Sequence, residues 1–336
     1  MDRPLCLIVN PAAGNGRSMR VLPQVTAILD QAGTEHRVFE SASLGHAREL
    51  AAQAAQRGDA VVAVGGDGLV GALAGIAAVS GTPVGANAPQ AGDAGGLFGI
   101  VPAGRGNDLA RVLGVPAEPG AAARVLTGGQ HRRIDLIGVA APGQPEQVVA
   151  GSVYAGIPSL AGQIANTIDW LPGWLVYNVA ALRALAAWQP VQFTVQASRP
   201  AGPEPADERD PHTFRGYAVI VANNPYFGAG LRVAPNALID DGMLDIVLMR
   251  DAPKRTFLRA LLKVKKGTHI DLPEVDLVRA AEVTVSTNRD LPAAADGEPL
   301  RCASPLAAGA TLRIRALPGA LRVLVPAGSV TVAAAR

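Results

Sequence analysis

The sequence predicts two domains in succession: an α/β N-terminal domain on a mostly parallel sheet, then a C-terminal antiparallel β-sandwich. Three observations carry that prediction. Apolar runs alternate with helix-period segments through residues 1–134, the pattern of strands joined by crossover helices. Through residues 135–336 short strand-like runs dominate, as in a sandwich. A chain of 336 residues is also long for one compact core and comfortable for two. The boundary falls at 134/135, with room for the last residues to return and pack on the first domain.

In the first domain "LCLIVNP" reads as a buried strand ending in a turn, and "AAGNGRS" as a glycine-rich loop. "MRVLPQVTAILDQAG" has helical spacing and stops at Gly33. "EHRVFES" and "GHARELAAQAAQRG" follow as strand and helix, then "AVVAVGG" and "LVGALAGIAAV" as the next pair. "GANAPQAGDAGG" has no periodicity and reads as a mobile loop. "LFGIVPAG" is a further strand, and "GRGNDLARVLG" a loop running into a helix. In the second domain the strand-like runs are "VVAGSVYAG", "PVQFTVQAS", "FRGYAVIVAN", "MLDIVLM", "AEVTVST" and "TLRIRAL". Helical stretches at 176–188 and 253–266 interrupt them, and "SRPAGPEPADERDPH" reads as a disordered hairpin loop.

The net charge of +2 gives no reason to propose nucleic acid as a partner. Two distant cysteines, Cys6 and Cys302, fit free thiols in a reducing cytosol, with Cys6 in an apolar run. No signal-peptide core precedes Asn10 and Pro11, and no apolar run reaches the roughly 18 residues of a spanning helix. The expectation is a soluble cytoplasmic protein, with contact at a membrane surface left open.

The chemistry-bearing stretches are glycine loops at strand ends. Glycines there let backbone N–H groups approach phosphate oxygens closely. In "VVAVGGDGLVGAL" the loop also holds Asp67, which would repel a bare phosphate. The aspartate makes sense if magnesium accompanies a nucleotide or if it accepts from a ribose or ammonium donor. Taken alone, the run is as readily a tight turn with Asp67 as an N-cap. It is not alone: "NPAAGNG" and "PAGRGND" also follow apolar strands, and loops at the carboxyl ends of a parallel sheet converge on one edge.

With these loops, "NPAAG", "GGDGL", "VPAGRGNDLAR", "APNALIDDGMLDIVLM" and "ADGEPL" occur in the order seen in the diacylglycerol-kinase catalytic family. That family includes bacterial diacylglycerol-kinase-like lipid kinases, sphingosine kinases and ceramide kinases. The resemblance spans nearly the whole chain. It implies an ATP site in the cleft between the domains. It also implies ATP- and Mg2+-dependent transfer of the γ-phosphoryl group to a lipid hydroxyl at a membrane surface, with diacylglycerol the leading acceptor.

Carried over residue by residue, the resemblance gives Asn10 to the first ATP loop and Ser41 to a nucleotide contact where a threonine is usual. It makes Gly65, Gly66, Asp67 and Gly68 the phosphate loop, and Gly104, Arg105, Asn107 and Asp108 the third loop. It implies a magnesium site from Asp241 with the carbonyls of Leu238 and Met243. Asp296 and Glu298 match the catalytic acidic motif, with Glu298 at the proton-acceptor position. Without the resemblance, "IDDG" and "ADGEPL" are also ordinary turns. On an extended segment Asp296 and Glu298, two residues apart, would share one face.

The sequence departs from the family in four places. Leu69 and Arg105 stand where threonines are usual, Ala72 where a glutamate is usual, and "GIPS" (156–159) lacks an aspartate. On the lipid side, Trp170, Trp174 and Tyr177 are interface-favouring residues. The stretch 254–266 combines Phe257, Leu258, Leu261, Leu262 and Val264 with Lys254, Arg255, Arg259, Lys263, Lys265 and Lys266. The same pattern describes an ordinary amphipathic helix packed on its own domain. Two rival functions are a NAD kinase-like enzyme, opposed by "PAGRGND" and the late "ADGE", and a catalytically weak nucleotide- or lipid-binding homologue, favoured by the departures.

Overall fold

The computed structural model describes residues 3–80, 96–168, 173–198, 210–228 and 230–328. The loops expected at 85–96 and 198–212 fall almost wholly outside the described residues, as do Trp170 and the side chains of Trp174 and Tyr177.

The first domain holds β1 (Leu5–Val9), α1 (Arg17–Gln31), β2 (His36–Glu40), α2 (Leu44–Gln56), β3 (Ala60–Gly65), α3 (Asp67–Ser80), β4 (Leu97–Pro102), α4 (Asp108–Val112) and α5 (Pro119–Gly128). The strands pair in parallel in the order β2-β1-β3-β4, with Leu5 opposite Ala60 and Val61 opposite Phe98. β1 and β3 are buried along their whole length, as unbroken apolar strands of a parallel sheet must be. In α1, Val21, Val25 and Leu29 recur every fourth residue on the buried face. In α2 the fully buried positions are alanines, at 47, 51 and 54, with Leu44 and Leu50 partly buried against the same core, and Ser43 caps the helix by accepting the His46 N–H. The sequence pattern gives no warning of α5, whose buried face is mostly small residues and whose start is fixed by Glu118 and Pro119.

β5 (Gln130–Ala140) runs across the expected 134/135 boundary, with Ile134 and Leu136 in the core of the first domain, and the second domain continues with β6 (Gln147–Val149), β7 (Ser152–Gly156), α6 (Ile157–Ala165), α7 (Gly173–Ala187), β8 (Val191–Ser198), β9 (His212–Ala222), β10 (Tyr226–Phe227), β11 (Leu231–Arg232), β12 (Leu244–Arg250), α8 (Lys254–Val264), β13 (Val275–Ala280), β14 (Glu282–Thr287), β15 (Ala293–Ala295), β16 (Glu298–Pro299) and β17 (Thr311–Val325). One layer runs β6-β5-β17-β14-β8 and the other β16-β15-β7-β9-β12-β13, and the pairing of β8 with the start of β9 joins them. Phe193, Val219, Ile246, Leu312 and Ile314 belong to the apolar cluster that both layers share.

Two features position the site. The run "VVAGSVYAG" is two strands, β6 and β7, broken at Ala150 and Gly151. β17 spans both domains: Thr311 to Arg315 pair with β14 in the sandwich, and Arg322 and Val323 pair in parallel with Leu97 and Phe98 of β4. Its register against β5 shifts between Leu317 and Leu321, around Pro318 and Gly319.

Candidate active site

The carboxyl ends of β1, β3 and β4 bring three loops together, and glycines set how closely they approach. A Cβ on Gly14 would lie 2.2 Å from the Ala103 carbonyl oxygen, and one on Gly104 would lie 2.4 Å from the Cα of Gly66. The loops therefore touch backbone to backbone, which leaves their N–H groups as the lining. Leu69 packs beneath Gly65, where a Cβ would meet its Cδ2 at 2.8 Å.

Asp67 is a cap, but of α4 rather than of its own helix. Its Oδ2 accepts the Asn107 N–H at 2.9 Å and its Oδ1 accepts that of Asp108 at 2.5 Å. Asn107 is in the left-handed region (φ 52°), and its side chain bonds both the N–H and the carbonyl of Gly104. The carboxylate among the glycines thus holds the second and third loops in register. Asp108 is buried behind it.

Asn10 opens the first loop, with its Oδ1 accepting the Ala12 N–H at 3.0 Å and its carbonyl accepting from Ser18 Oγ at 2.5 Å. Ser41 is buried, and its hydroxyl donates to the Val9 carbonyl at 3.0 Å. Only its oxygen lone pairs remain for the nucleotide contact that the resemblance gives it. Arg105 is exposed at the third loop and makes no ion pair among the described residues.

The "ADGE" segment is a hairpin turn, which corrects the extended geometry expected for it. Ala295 pairs with Glu298, and the two residues between them, Asp296 (φ 48°) and Gly297 (φ 89°), carry the left-handed geometry of an Asp-Gly turn. The two carboxylates consequently do different things. Asp296 Oδ1 accepts the N–H groups of Gly151 and Ser152 at 2.9 and 2.8 Å, and Oδ2 accepts that of Ala150 at 2.9 Å. Burial pushes its pKa up, and the three N–H donors pull it back down. Asp296 is an anchor: it draws the turn onto the break between β6 and β7, and Tyr154 Oη accepts the Gly297 N–H at 3.1 Å from the other side. Glu298 is exposed, with Oε1 3.9 Å from where a Cβ would stand on Gly68. Its carboxylate therefore faces the second glycine loop across the domain boundary.

The "IDDG" turn is built around Asp135, which the sequence reading did not single out. Asp135 is 2% exposed, and its carboxylate accepts the N–H groups of Gly242 and Gly319 at 2.6 and 2.7 Å. Asp240 pairs with Arg132 at 2.6 Å. Asp241 receives the Met243 N–H on Oδ1 and the Arg279 guanidinium on Oδ2. Both oxygens of the carboxylate assigned to magnesium with the carbonyls of Leu238 and Met243 are thus engaged by protein donors. Among the described residues no three His, Cys, Asp or Glu side chains converge as ligands. The arrangement does not fit a divalent cation at this turn; a guanidinium stands against Asp241 instead.

Residues 4–139 match the family model of the diacylglycerol kinase catalytic domain, and residues 151–325 match that of the YegS C-terminal NAD kinase beta sandwich-like domain. A diacylglycerol kinase of Mycobacterium tuberculosis strain H37Rv is 30% identical over 329 residues, covering 95% of this chain and 94% of its own. The chain belongs to the diacylglycerol kinase family of lipid kinases. A diacylglycerol kinase of Bacillus subtilis strain 168 is 26% identical over 299 residues, covering 87% of this chain and 88% of its own. The fold agrees with the crystal structure of a diacylglycerol kinase from Bacillus anthracis strain Sterne, with a TM-score of 0.67, 20% identity, and 98% of each chain covered.

Several residues that shape the site in this lipid kinase escaped the motifs. Gly71 on α3 meets Asp296, with a Cβ there 2.7 Å from Oδ2, and Gly75 meets the Val148 carbonyl, with a Cβ 2.4 Å from the oxygen. The available signal was Gly151, a glycine inside a strand-like run, which marks close backbone approach. A cavity of about 160 Å3 opens beside Glu298, between α3 and the strands β6 and β15, and Arg48 and Arg301 line it.

Proposed function

We propose that this lipid kinase transfers the γ-phosphoryl group of ATP to a lipid hydroxyl, with diacylglycerol the leading acceptor on the names its relatives carry. The observation that supports this most is Glu298, a carboxylate with no N–H partner among the described residues, set on an anchored two-residue turn opposite the Gly65–Gly68 loop.

In the reaction the acceptor oxygen attacks the γ-phosphorus and its proton passes to the Glu298 carboxylate. The bond from the γ-phosphorus to the β–γ bridging oxygen breaks and its electron pair leaves with ADP. Backbone N–H groups of the three glycine loops, with Asn10, Gly104 and Asn107 shaping them, hold the phosphates, and exposed Arg105 supplies charge at the third loop. Asp67 keeps two of the loops in register, and Asp296 fixes where Glu298 points. Magnesium enters this reading only as the companion of the nucleotide.

No helix among the described residues is long and apolar enough to cross a membrane. α8 supports peripheral contact at the cytoplasmic face: Phe257, Ala260 and Val264 pack inward, while Leu258 and Leu262 are 40% and 74% exposed among its cations.

The test is ADP release from ATP with and without a lipid panel, for the parent and for Glu298→Gln. Lipid-dependent ADP release is expected, and the variant should lose about 100- to 10,000-fold in turnover with ATP affinity nearly unchanged. Phosphorylation of NAD in place of lipid, or ATP binding without any turnover, would overturn the reading in favour of one of its rivals.

A further inference from the structure

The third glycine loop is gripped from two directions. Asp67 holds it through the N–H groups of Asn107 and Asp108, and Arg111, in the last turn of α4, reaches back so that its Nη2 donates to the Gly106 carbonyl at 3.2 Å. The same guanidinium crosses the domain boundary. Its Cζ stands 5.2 Å from the centre of the Tyr226 ring on β10, and a Cβ on Gly230 would lie 2.9 Å from its Nη1. Arg111 makes no ion pair among the described residues, so the carbonyl and the aromatic face are what its charge meets. β10 and β11 form a two-stranded hairpin outside the large sheet, with Tyr226 opposite Arg232 and Phe227 opposite Leu231. Successive residues of a strand point to opposite faces, so Tyr226 is presented to α4 and Phe227 to β7. There Phe227 meets the Tyr154 ring edge-on, with centroids 4.7 Å apart, and Tyr154 Oη accepts the Gly297 N–H of the turn that carries Glu298.

We propose that the β10–β11 hairpin is a brace that sets the third nucleotide loop against the turn bearing Glu298, with Arg111, Tyr226 and Tyr154 as its positioning residues. The proposal rests on the lipid-kinase reading and adds to it how the two halves of the site are kept in register. Phosphoryl transfer asks little covalent chemistry of the protein and much alignment. The nucleotide is held by loops of the first domain and the proton acceptor stands on the second, and a misplacement near 1 Å costs about 100-fold in rate. A connection from one loop to the other through packed, hydrogen-bonded side chains supplies that alignment.

Edge-on aromatic pairs are also ordinary packing. Two details carry this one further. The hairpin reaches the turn by a second route: Asn224, 2% exposed, accepts the Tyr226 N–H on Oδ1, and its Nδ2 is 3.4 Å from where a Cβ would stand on Gly151, whose own N–H holds Asp296. The Tyr226 hydroxyl makes no hydrogen bond among the described residues, so it is the ring face that Arg111 uses. Each end of the hairpin therefore finishes on a group that fixes a loop of the site, Gly106 on one side and Gly297 on the other.

The test measures kcat with diacylglycerol in mixed micelles, and KM for ATP, for the parent, Arg111→Met, Tyr154→Phe and the double variant. Tyr154→Phe should lower kcat by about fivefold, the loss expected for one hydrogen bond, with KM for ATP changed by less than about twofold. Arg111→Met should raise KM for ATP and also lower kcat by about tenfold. Once one link is broken the other has nothing to transmit, so the double variant should lose about tenfold in kcat rather than the roughly 50-fold of independent sites. Tyr226→Leu should match Arg111→Met in kcat, and Tyr226→Phe, which keeps the ring face, should stay within about twofold of the parent; Tyr226→Leu carries the cycle if Arg111→Met does not fold. An Arg111→Met variant with parental kcat confines Arg111 to the nucleotide loop and overturns the brace, as do single losses that multiply, or a Tyr226→Phe loss equal to that of Tyr226→Leu. Amide hydrogen exchange separates this from failure of the kinase reading. If the parent phosphorylates no lipid, faster exchange at 293–299 in Arg111→Met, with 193–198 in β8 unchanged, still supports the brace. Unchanged exchange at 293–299, or faster exchange at both segments, overturns it.

Discussion

Gly71 and Asp296 meet across the domain boundary at a distance that leaves no room for a side chain on the first: a Cβ at 71 would lie 2.7 Å from Asp296 Oδ2. Because three backbone N–H groups hold that carboxylate, it cannot step aside, and it in turn fixes the turn that presents Glu298.

Gly71→Ala therefore separates stability from activity. Alanine gains about 1 kcal/mol of helix propensity, and the forced contact costs about 1–3 kcal/mol, so the denaturation midpoint should fall only modestly. Lipid turnover should fall by about 100-fold, because a shift near 1 Å misplaces the proton acceptor. Parental turnover in a folded variant would show that the turn does not set catalytic geometry.

Asp245 makes stability depend on pH. It is 1% exposed, and burial raises its pKa to about 6 against the pull of Arg279. Between roughly pH 4 and 6 the folded state then holds a proton that the unfolded chain has released, so stability falls as pH rises through that window, by about 3 kcal/mol. Asp245→Asn should flatten this profile and be the more stable protein at pH 7.5. Urea unfolding at both ends of the window checks it; parallel profiles for parent and variant would refute it.

Much of the fold could be read from the sequence because strands buried on both faces leave unbroken apolar runs, as in "LCLIV" and "AVVAVG". The glycine loops were legible for the same reason: they punctuate those runs. What was not legible is where side chains travel in space. Asp67 could be read as a cap, but not as the cap of a helix 41 residues further on, since tertiary capping leaves no local pattern. The hairpin turn at Asp296 and Gly297 was open in the sequence, whereas the N–H groups at 150–152 that receive it were not. Arg48 and Arg301 belong to no motif, and only the packing of α2 near β16 brings them into one cavity.

Arg279 supplies the cation that Asp241 faces, so removing it should create an appetite for metal. Magnesium at millimolar concentration should leave the melting temperature of the parent unchanged and raise that of Arg279→Met, by about 2–4 °C for each kcal/mol of binding. Equal responses would mean that the guanidinium does not take a metal's place.

The outer face of α8 should bind anionic vesicles. Leu258→Glu with Leu262→Glu should weaken co-sedimentation with such vesicles by tenfold or more, since each change removes apolar contact and adds repulsion, while neighbouring cations contribute about 1 kcal/mol each. Equal sedimentation of parent and variant would leave α8 as packing alone.

β17 pairs with β14 in the sandwich and with β4 in the parallel sheet, so the nucleotide-domain sheet is finished by a strand from near the end of the chain, with Arg322 beside Leu97. During synthesis the growing polypeptide must therefore carry an open strand edge at β4 until β17 leaves the ribosome. Folding the first half and then the second is not available to it, and a nucleotide domain expressed by itself would expose that edge to aggregation.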